Sequence, residues 1–181
     1  MDTDRFKLEI LPLKNKLYRF ASSLLNDSEE AQDAVQEVFI KMWNLRSNID
    51  NLNSPEAFAM KVTKNHCLDR IKARRTVSLE HTKSLMYTET DWEDPENRAE
   101  TGDAAEILRK LMDKLPEQQK SIVHLRDIEG YEFEEIGQAL DMTVNTIRVN
   151  LSRARKKLRE MYLKRVDHGF EKNKIITGKL L

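Results

Sequence analysis

The chain has 181 residues, of which 34% are charged and 39% hydrophobic, and its mean hydropathy is −0.67. At roughly 100–200 residues per domain this is one ordinary domain or two small ones, polar at the surface and apolar enough to bury a core. Only 5 glycines and 4 prolines are present, too few for the many turns of a β-sandwich or barrel, so long helices with short connections are expected. No apolar run approaches the roughly 20 residues that span a bilayer. Met1-Asp2-Thr3-Asp4-Arg5 lacks the basic and apolar stretches of a signal peptide, so no membrane insertion and a cytoplasmic location are expected. A single cysteine, Cys67, makes neither an internal disulfide nor a multi-cysteine zinc site.

The 31 basic and 31 acidic side chains cancel, but they are unevenly placed. Residues 76–106 carry 2 basic and 9 acidic groups, whereas residues 141–181 carry 11 and 4. An acidic middle followed by a basic end is a pattern that needs an explanation.

In chain order, Ile10, Leu13, Leu17, Phe20, Ala21 and Leu24 recur at helical spacing, with Pro12 tolerable only in a first turn. A second helix opens at Asp27, a good N-cap, with Glu30 at capping-box distance. Its apolar stripe is Ala31, Ala34, Val35, Val38, Phe39, Met42 and Trp43. Residues 46–53 read as a loop. Ser54-Pro55 starts a third helix over about 55–75, ending in Arg70, Lys72, Arg74 and Arg75, where cations suit the negative helix end. Residues 76–102 show no sustained period and read as an acidic linker. Beyond it, Ile107, Leu108, Leu111, Met112 and Leu115 mark another helix, Pro116 separates it from the next, and Gly130 is a natural helix stop. Phe133, Ile136 and Leu140 give a short helix, Asp141-Met142 a tight turn, and Thr143 caps a last helix with Ile147, Leu151, Ala154, Leu158 and Tyr162 inward. Residues 166–181 read as a tail. The expected fold is therefore all-α: an N-terminal helical bundle over 1–75, the linker over 76–102, and a four-helix domain over 103–165.

Residues 132–162 have helix-turn-helix proportions. At about 100° per residue, Arg148, Ser152, Arg155 and Arg159 form one row of the last helix, with Asn145, Val149 and Lys156 beside it. Such a helix fits the major groove with its N-terminal residues at base edges, while the later Arg153, Arg155, Lys156 and Arg159 suit phosphates. Asn65, mid-helix where Asn has poor propensity, reads either as a polar residue in a helix–helix interface or as a contact group. On the second helix Asp33, Gln36 and Glu37 stand beside the large apolar Phe39, Ile40 and Trp43, either core plus solvated acid or a protein-docking face.

Three segments together resemble a known family. Residues 29–43, EEAQDAVQEVFIKMW, resemble the segment of bacterial sigma factors that docks on the polymerase clamp helices. Residues 57–75, AFAMKVTKNHCLDRIKARR, resemble the helix that reads the promoter −10 element, and residues 115–158 the region that reads the −35 element. Residues 5–163 as a whole resemble an extracytoplasmic-function sigma factor of the sigma-70 family. The resemblance implies core RNA polymerase, through its clamp helices and flap, and promoter DNA as partners. It also implies an anti-sigma factor, a monomer when free, and no cofactor, metal or catalytic residue. It assigns Asp33, Gln36, Glu37, Phe39, Ile40 and Trp43 to polymerase. It assigns Lys61, Lys64, Asn65, Arg70 and Arg74 to the −10 element, with Asn65 capturing a flipped base. It assigns Arg148, Val149, Ser152 and Arg153 to the −35 element, to which the helix-face reading adds Asn145 and Lys156. The acidic linker would follow a basic channel of the polymerase. This chain departs from the family in having Val149-Asn150 for a common Ser-Arg pair, no Pro or Gly in the turn at 141–145, and Gly137 for a usual Ala.

The rival reading is a stand-alone, dimeric helix-turn-helix regulator, which accounts for 103–162 but not for Asn65 or the Asp33-Gln36-Glu37 face. An enzyme is disfavoured: no Gly-rich phosphate loop, GxSxG or HExxH is present, and the four histidines are scattered.

Overall fold

Pro12 decides how the chain begins. The computed structural model describes residues 3–49, 52, 54–80 and 102–177. Within it the first apolar pattern is two helices, α1 (Thr3–Glu9) and α2 (Lys14–Leu25), joined by a 3-10 turn at Leu11–Leu13. Proline has no N–H to give an α-helical ladder, and the tighter turn accommodates it. Leu17, Phe20, Ala21 and Leu24 are buried as their spacing predicts, and Asn26 closes α2 in the left-handed region at φ 54°.

Asp27 then caps α3 (Ser28–Asn44), its carboxylate accepting from the Glu30 amide at 2.9 Å. The return half of the expected capping box is absent, because the Glu30 carboxylate turns to Arg74 instead. Residues 46–53, expected as a loop, contain a helical turn, α4 (Arg46–Ile49), whose Ile49 is buried. Ser54 Oγ accepts from the Ala57 amide at 3.1 Å and starts α5 (Pro55–Glu80), five residues longer than the sequence pattern indicates. Ala57, Ala59, Met60 and Cys67 are buried, and Thr63, also buried, donates to the Ala59 carbonyl at 2.9 Å. Burial pushes the Cys67 thiol up to about 12, so this cysteine packs as a small hydrophobe rather than reacting. Residues 81–101, most of the expected linker, lie outside the described residues.

The second half is α6 (Gly102–Met112), α7 (Glu117–Val123), a π-helical turn at His124–Ile128, α8 (Phe133–Leu140) and α9 (Val144–Thr177). Leu111, Met112 and Leu115 are buried, but Leu108, expected in the same stripe, is 46% exposed. Gly130, at φ 77°, ends the π turn in a conformation that L side chains rarely adopt. A second backbone constraint lies at Gly137, where a Cβ would meet the Met142 carbonyl oxygen at 2.8 Å. The turn between α8 and α9 therefore closes onto residue 137, and the helix propensity lost to glycine, about 1 kcal/mol, is offset by that close approach. Thr143 Oγ1 accepts from the Thr146 amide at 3.2 Å, as an N-cap should. The last helix continues through residues expected as a tail, to Thr177, and Tyr162, expected inward, is exposed; Met161 packs toward the core instead.

The fold is all-α, with no strand among the described residues. The two helical domains meet along α5–α8 and along α2 with α7 and the π turn. Arg19 of α2 donates twice to the Glu129 carboxylate, at 2.8 and 2.7 Å, and the Glu129 side chain is 1% exposed. Tyr131 donates its hydroxyl to Glu56 at 2.6 Å, and Lys16 pairs with the same carboxylate oxygen at 2.7 Å. The Phe20 and His124 rings pack at 5.4 Å. Burial pushes the Glu129 carboxyl up, but the His124 ring and the Arg19 guanidinium outweigh it and bring it down to about 2.

Candidate nucleic-acid interface

On α3, the positions at i, i+3, i+4 and i+7 that do not enter the core form an open edge. Asp33, Gln36, Glu37 and Ile40 are exposed, Ile40 at 61%. Phe39 and Trp43 are half-buried and packed against the core, so they anchor this edge rather than project from it. The Trp43 ring meets the edge of Phe6 at a centroid distance of 5.2 Å and carries Arg46 at 4.5 Å. The three polar and three large apolar groups of this helix thus resolve into an open edge of Asp33, Gln36, Glu37 and Ile40 with two rooted aromatics.

The five groups assigned to α5 are differently placed. Asn65 is exposed, not in a helix–helix interface, and has no side-chain hydrogen-bond partner among the described residues. Lys61 pairs with Asp141 at 2.7 Å, and Lys64 donates to the Leu140 carbonyl at 3.3 Å. Both partners belong to the C-terminal end of α8, which carries the negative end of that helix dipole. Burial holds the Lys64 ammonium below its usual range. Arg70 donates to Glu37 at 2.7 Å and to His66 Nε2 at 3.2 Å, and Arg74 pairs with Glu30. The hydrogen bond from Arg70 holds the Glu37 carboxyl below the usual range. His66, buried beneath, is kept neutral more readily by that burial and by Lys41.

On α9 the inner face, Ile147, Leu151, Ala154 and Leu158, is buried. Asn145, Arg148, Val149, Ser152, Arg153 and Lys156 all lie on the exposed side. Arg155, in the row with Arg148, is tied bidentately to Asp127 at 3.1 and 2.5 Å, and Asn150 turns back to the Thr146 carbonyl at 2.9 Å. Arg148 lies over the Phe133 ring, 5.1 Å from its centroid. Sequence reasoning missed Phe133, because a ring at the start of α8 reads only as core. It also missed Asp141 and Leu140 as partners of α5, contacts that cross about half the chain.

The comparisons with known proteins agree along the chain. The sigma-70 region 2 family model matches residues 10–77, and the sigma-70 region 4 model matches residues 105–158. The ECF RNA polymerase sigma factor SigE of Mycolicibacterium smegmatis is 30% identical over 152 residues, which are 83% of this chain and 58% of that protein. The ECF RNA polymerase sigma factor SigW of Bacillus subtilis is 26% identical over 170 residues, 88% of this chain and 89% of that one. In fold, the chain is similar to the sigma factor RpoE in its complex with the anti-sigma factor NepR from Bartonella quintana. That match has a TM-score of 0.77 at 21% identity, over 88% of this chain and 98% of that one. It is also similar to CnrH in complex with the cytosolic domain of CnrY, with a TM-score of 0.62 at 19% identity, over 89% of each chain. Both regions are matched in order, one on each helical domain, and this protein belongs to the sigma-70 family of RNA polymerase sigma factors, in its extracytoplasmic-function (ECF) group.

Proposed function

We propose that this chain is a promoter-specific transcription initiation factor that joins core RNA polymerase in the cytoplasm, works by binding and not as an enzyme, and divides the task among three helices. The edge of α3, with Asp33, Gln36, Glu37 and Ile40 rooted by Phe39 and Trp43, takes the polymerase clamp helices. The helix α5 takes the −10 element, Asn65 receiving a flipped base and Lys61, Lys64, Arg70 and Arg74 the phosphates beside it. The helix α9 takes the −35 element, with Asn145, Arg148, Val149 and Ser152 toward base edges and Arg153 and Lys156 toward the backbone. Residues 1–75 and 103–165 are then the two working domains, and 76–102 the acidic connection between them. An anti-sigma factor is a further expected partner of this chain, as it is in the named complex of RpoE.

The observation that supports this reading most strongly is the coincidence of three open faces with the two matched regions. Core and caps account for the buried positions of α3, α5 and α9, and Asp33, Gln36, Glu37, Asn65, Asn145, Arg148, Val149 and Ser152, which this reading gives to polymerase and DNA, are left exposed. Co-elution with bacterial core RNA polymerase tests it. Wild type should co-elute stoichiometrically as a monomeric factor, and an Asp33/Gln36/Glu37 triple-alanine variant should lose binding. A dimer eluting apart from polymerase would overturn the reading in favour of a stand-alone regulator.

A further inference from the structure

The exposed polar groups of α9 are not held equally. Asn150 is spent on the Thr146 carbonyl and Arg155 on Asp127. Arg148 has no carboxylate partner among the described residues, yet it is not loose, because its guanidinium lies 5.1 Å from the centroid of Phe133. Phe133 opens α8, is half-buried and packs against the core, so its ring is a fixed object at the corner of the helix-turn-helix. The same ring carries Arg126 at 4.7 Å. That cation is compensated: its Nη1 donates to the Tyr131 carbonyl at 2.6 Å and lies 3.0 Å from Glu132. Arg148 is therefore the one of the two whose donors are uncommitted among the described residues.

An arginine on a helix surface carries about 2 kcal/mol of rotamer entropy, and part of it must be given up to present a fork of donors to a base. A ring under the guanidinium removes some of that freedom before DNA arrives and consumes none of the N–H groups. Arg148 stands in the second turn of α9, in the part of a recognition helix that meets base edges. The base that accepts two parallel N–H bonds from arginine in the major groove is guanine, through O6 and N7.

We propose that Phe133 is a positioning residue for −35 recognition: its ring holds Arg148 ready to read one guanine. The proposal rests on the reading of α9 as the −35 helix. It separates base preference from affinity. Phosphate contacts by Arg153 and Lys156 do not pass through Phe133, so the salt dependence of binding should not change with it.

The test uses the full chain with core RNA polymerase and a duplex library randomised over both promoter elements. Wild type, Phe133→Leu, Phe133→Tyr and Arg148→Ala are compared by sequencing the bound fraction. Arg148→Ala should erase a guanine preference at one −35 position. Phe133→Leu should weaken that preference roughly two- to five-fold, the range of an exposed cation–π contact. Phe133→Tyr, which keeps the ring, should restore it, and the salt slope should hold throughout. Uniform weakening across all sequences in Phe133→Leu, or an unchanged profile, would overturn the proposal. If wild type itself shows no −35 preference and Arg148→Ala matches it, the failure belongs to the −35 reading instead. Should Phe133→Leu not fold, wild type alone decides by NMR relaxation of the arginine Nε–H groups. Arg148 should be more ordered than Arg153, and equal mobility would overturn the proposal.

Discussion

The two helices assigned to DNA, α5 and α9, carry similar runs of cations and stand in opposite states. On α5, Lys61, Lys64, Arg70 and Arg74 all bond to groups of the same chain: Asp141, the Leu140 carbonyl, Glu37 and Glu30. On α9, Arg148, Arg153 and Lys156 are exposed, and among the described residues only Arg155 of that stretch is drawn to a carboxylate. Basic residues counted along the sequence do not distinguish these cases; the packing of one domain on the other does. The α8 terminus holds two of the cations proposed for −10 phosphates, so on that proposal the chain in this arrangement offers one DNA face and covers the other. Affinity for nucleic acid tracks the phosphates actually neutralised, and zero net charge gives no compensating long-range attraction. The Glu37–Arg70 pair links the edge of α3 proposed for polymerase directly to the helix proposed for the −10 element, and polymerase contacts on that edge would compete with it.

Breaking the buried join between the domains should have the largest effect. The Glu129 side chain is 1% exposed and holds Arg19 across the interface at 2.7 Å. Its carboxyl is brought to about 2 in the folded chain against an ordinary 4.5, a difference that corresponds to about 3 kcal/mol in favour of the closed, ionised form. Glu129→Gln should lower stability by about that amount in urea unfolding, and should raise the radius of gyration in solution scattering. An unchanged radius would show that the domains are held elsewhere, by Tyr131–Glu56 and the apolar contact.

The same pair sets a pH window. A group whose pKa is depressed on folding contributes its full stabilisation above the unfolded value and loses it as pH falls through the folded one. The difference in unfolding free energy between wild type and Glu129→Gln should be complete at about pH 6 and shrink from about pH 4.5 toward 2. Parallel acid titrations of the two proteins check this. A difference that stays constant down to about pH 2 would mean that folding does not shift the Glu129 carboxyl.

What the sequence made legible follows from range. Caps and stops are local, and Asp27, Ser54, Gly130 and Thr143 do what their positions in the sequence indicate. Apolar periodicity is also local, and it located the cores of α2, α3, α5 and α9. It erred at helix ends and edges, where Leu108 and Tyr162 face water and α5 and α9 run on, since periodicity there has no packing partner to decide it. The joins between domains were out of reach. Arg19 and Glu129 are 110 residues apart, and Tyr131 and Glu56 are 75 apart, with nothing in either neighbourhood to announce the other. Gly137 was visible only as a poor helix residue; the Met142 oxygen beside its missing Cβ supplies the reason.

The smallest effect is the most direct probe of the contrast between α5 and α9. Lys61 and Asp141 are both partly exposed, so their pair is worth at most about 1 kcal/mol and its loss should leave the fold intact. Asp141 sits at φ 55°, in the left-handed region that asparagine tolerates as well as aspartate does, so Asp141→Asn removes the charge without disturbing the turn. The variant frees the Lys61 ammonium for a phosphate. Binding of the free chain to a mixed-sequence single-stranded oligonucleotide should tighten roughly two- to five-fold. The dependence of log K on log salt should steepen by about 0.7, the increment for one more neutralised phosphate on a single strand. Duplex binding through α9 should not change, since Asp141 faces α5 and not the recognition helix's outer side. A gain on single and double strands alike would indicate a general charge effect. A gain on single strands alone, with the steeper slope, would establish that the end of α8 occupies the place of a phosphate.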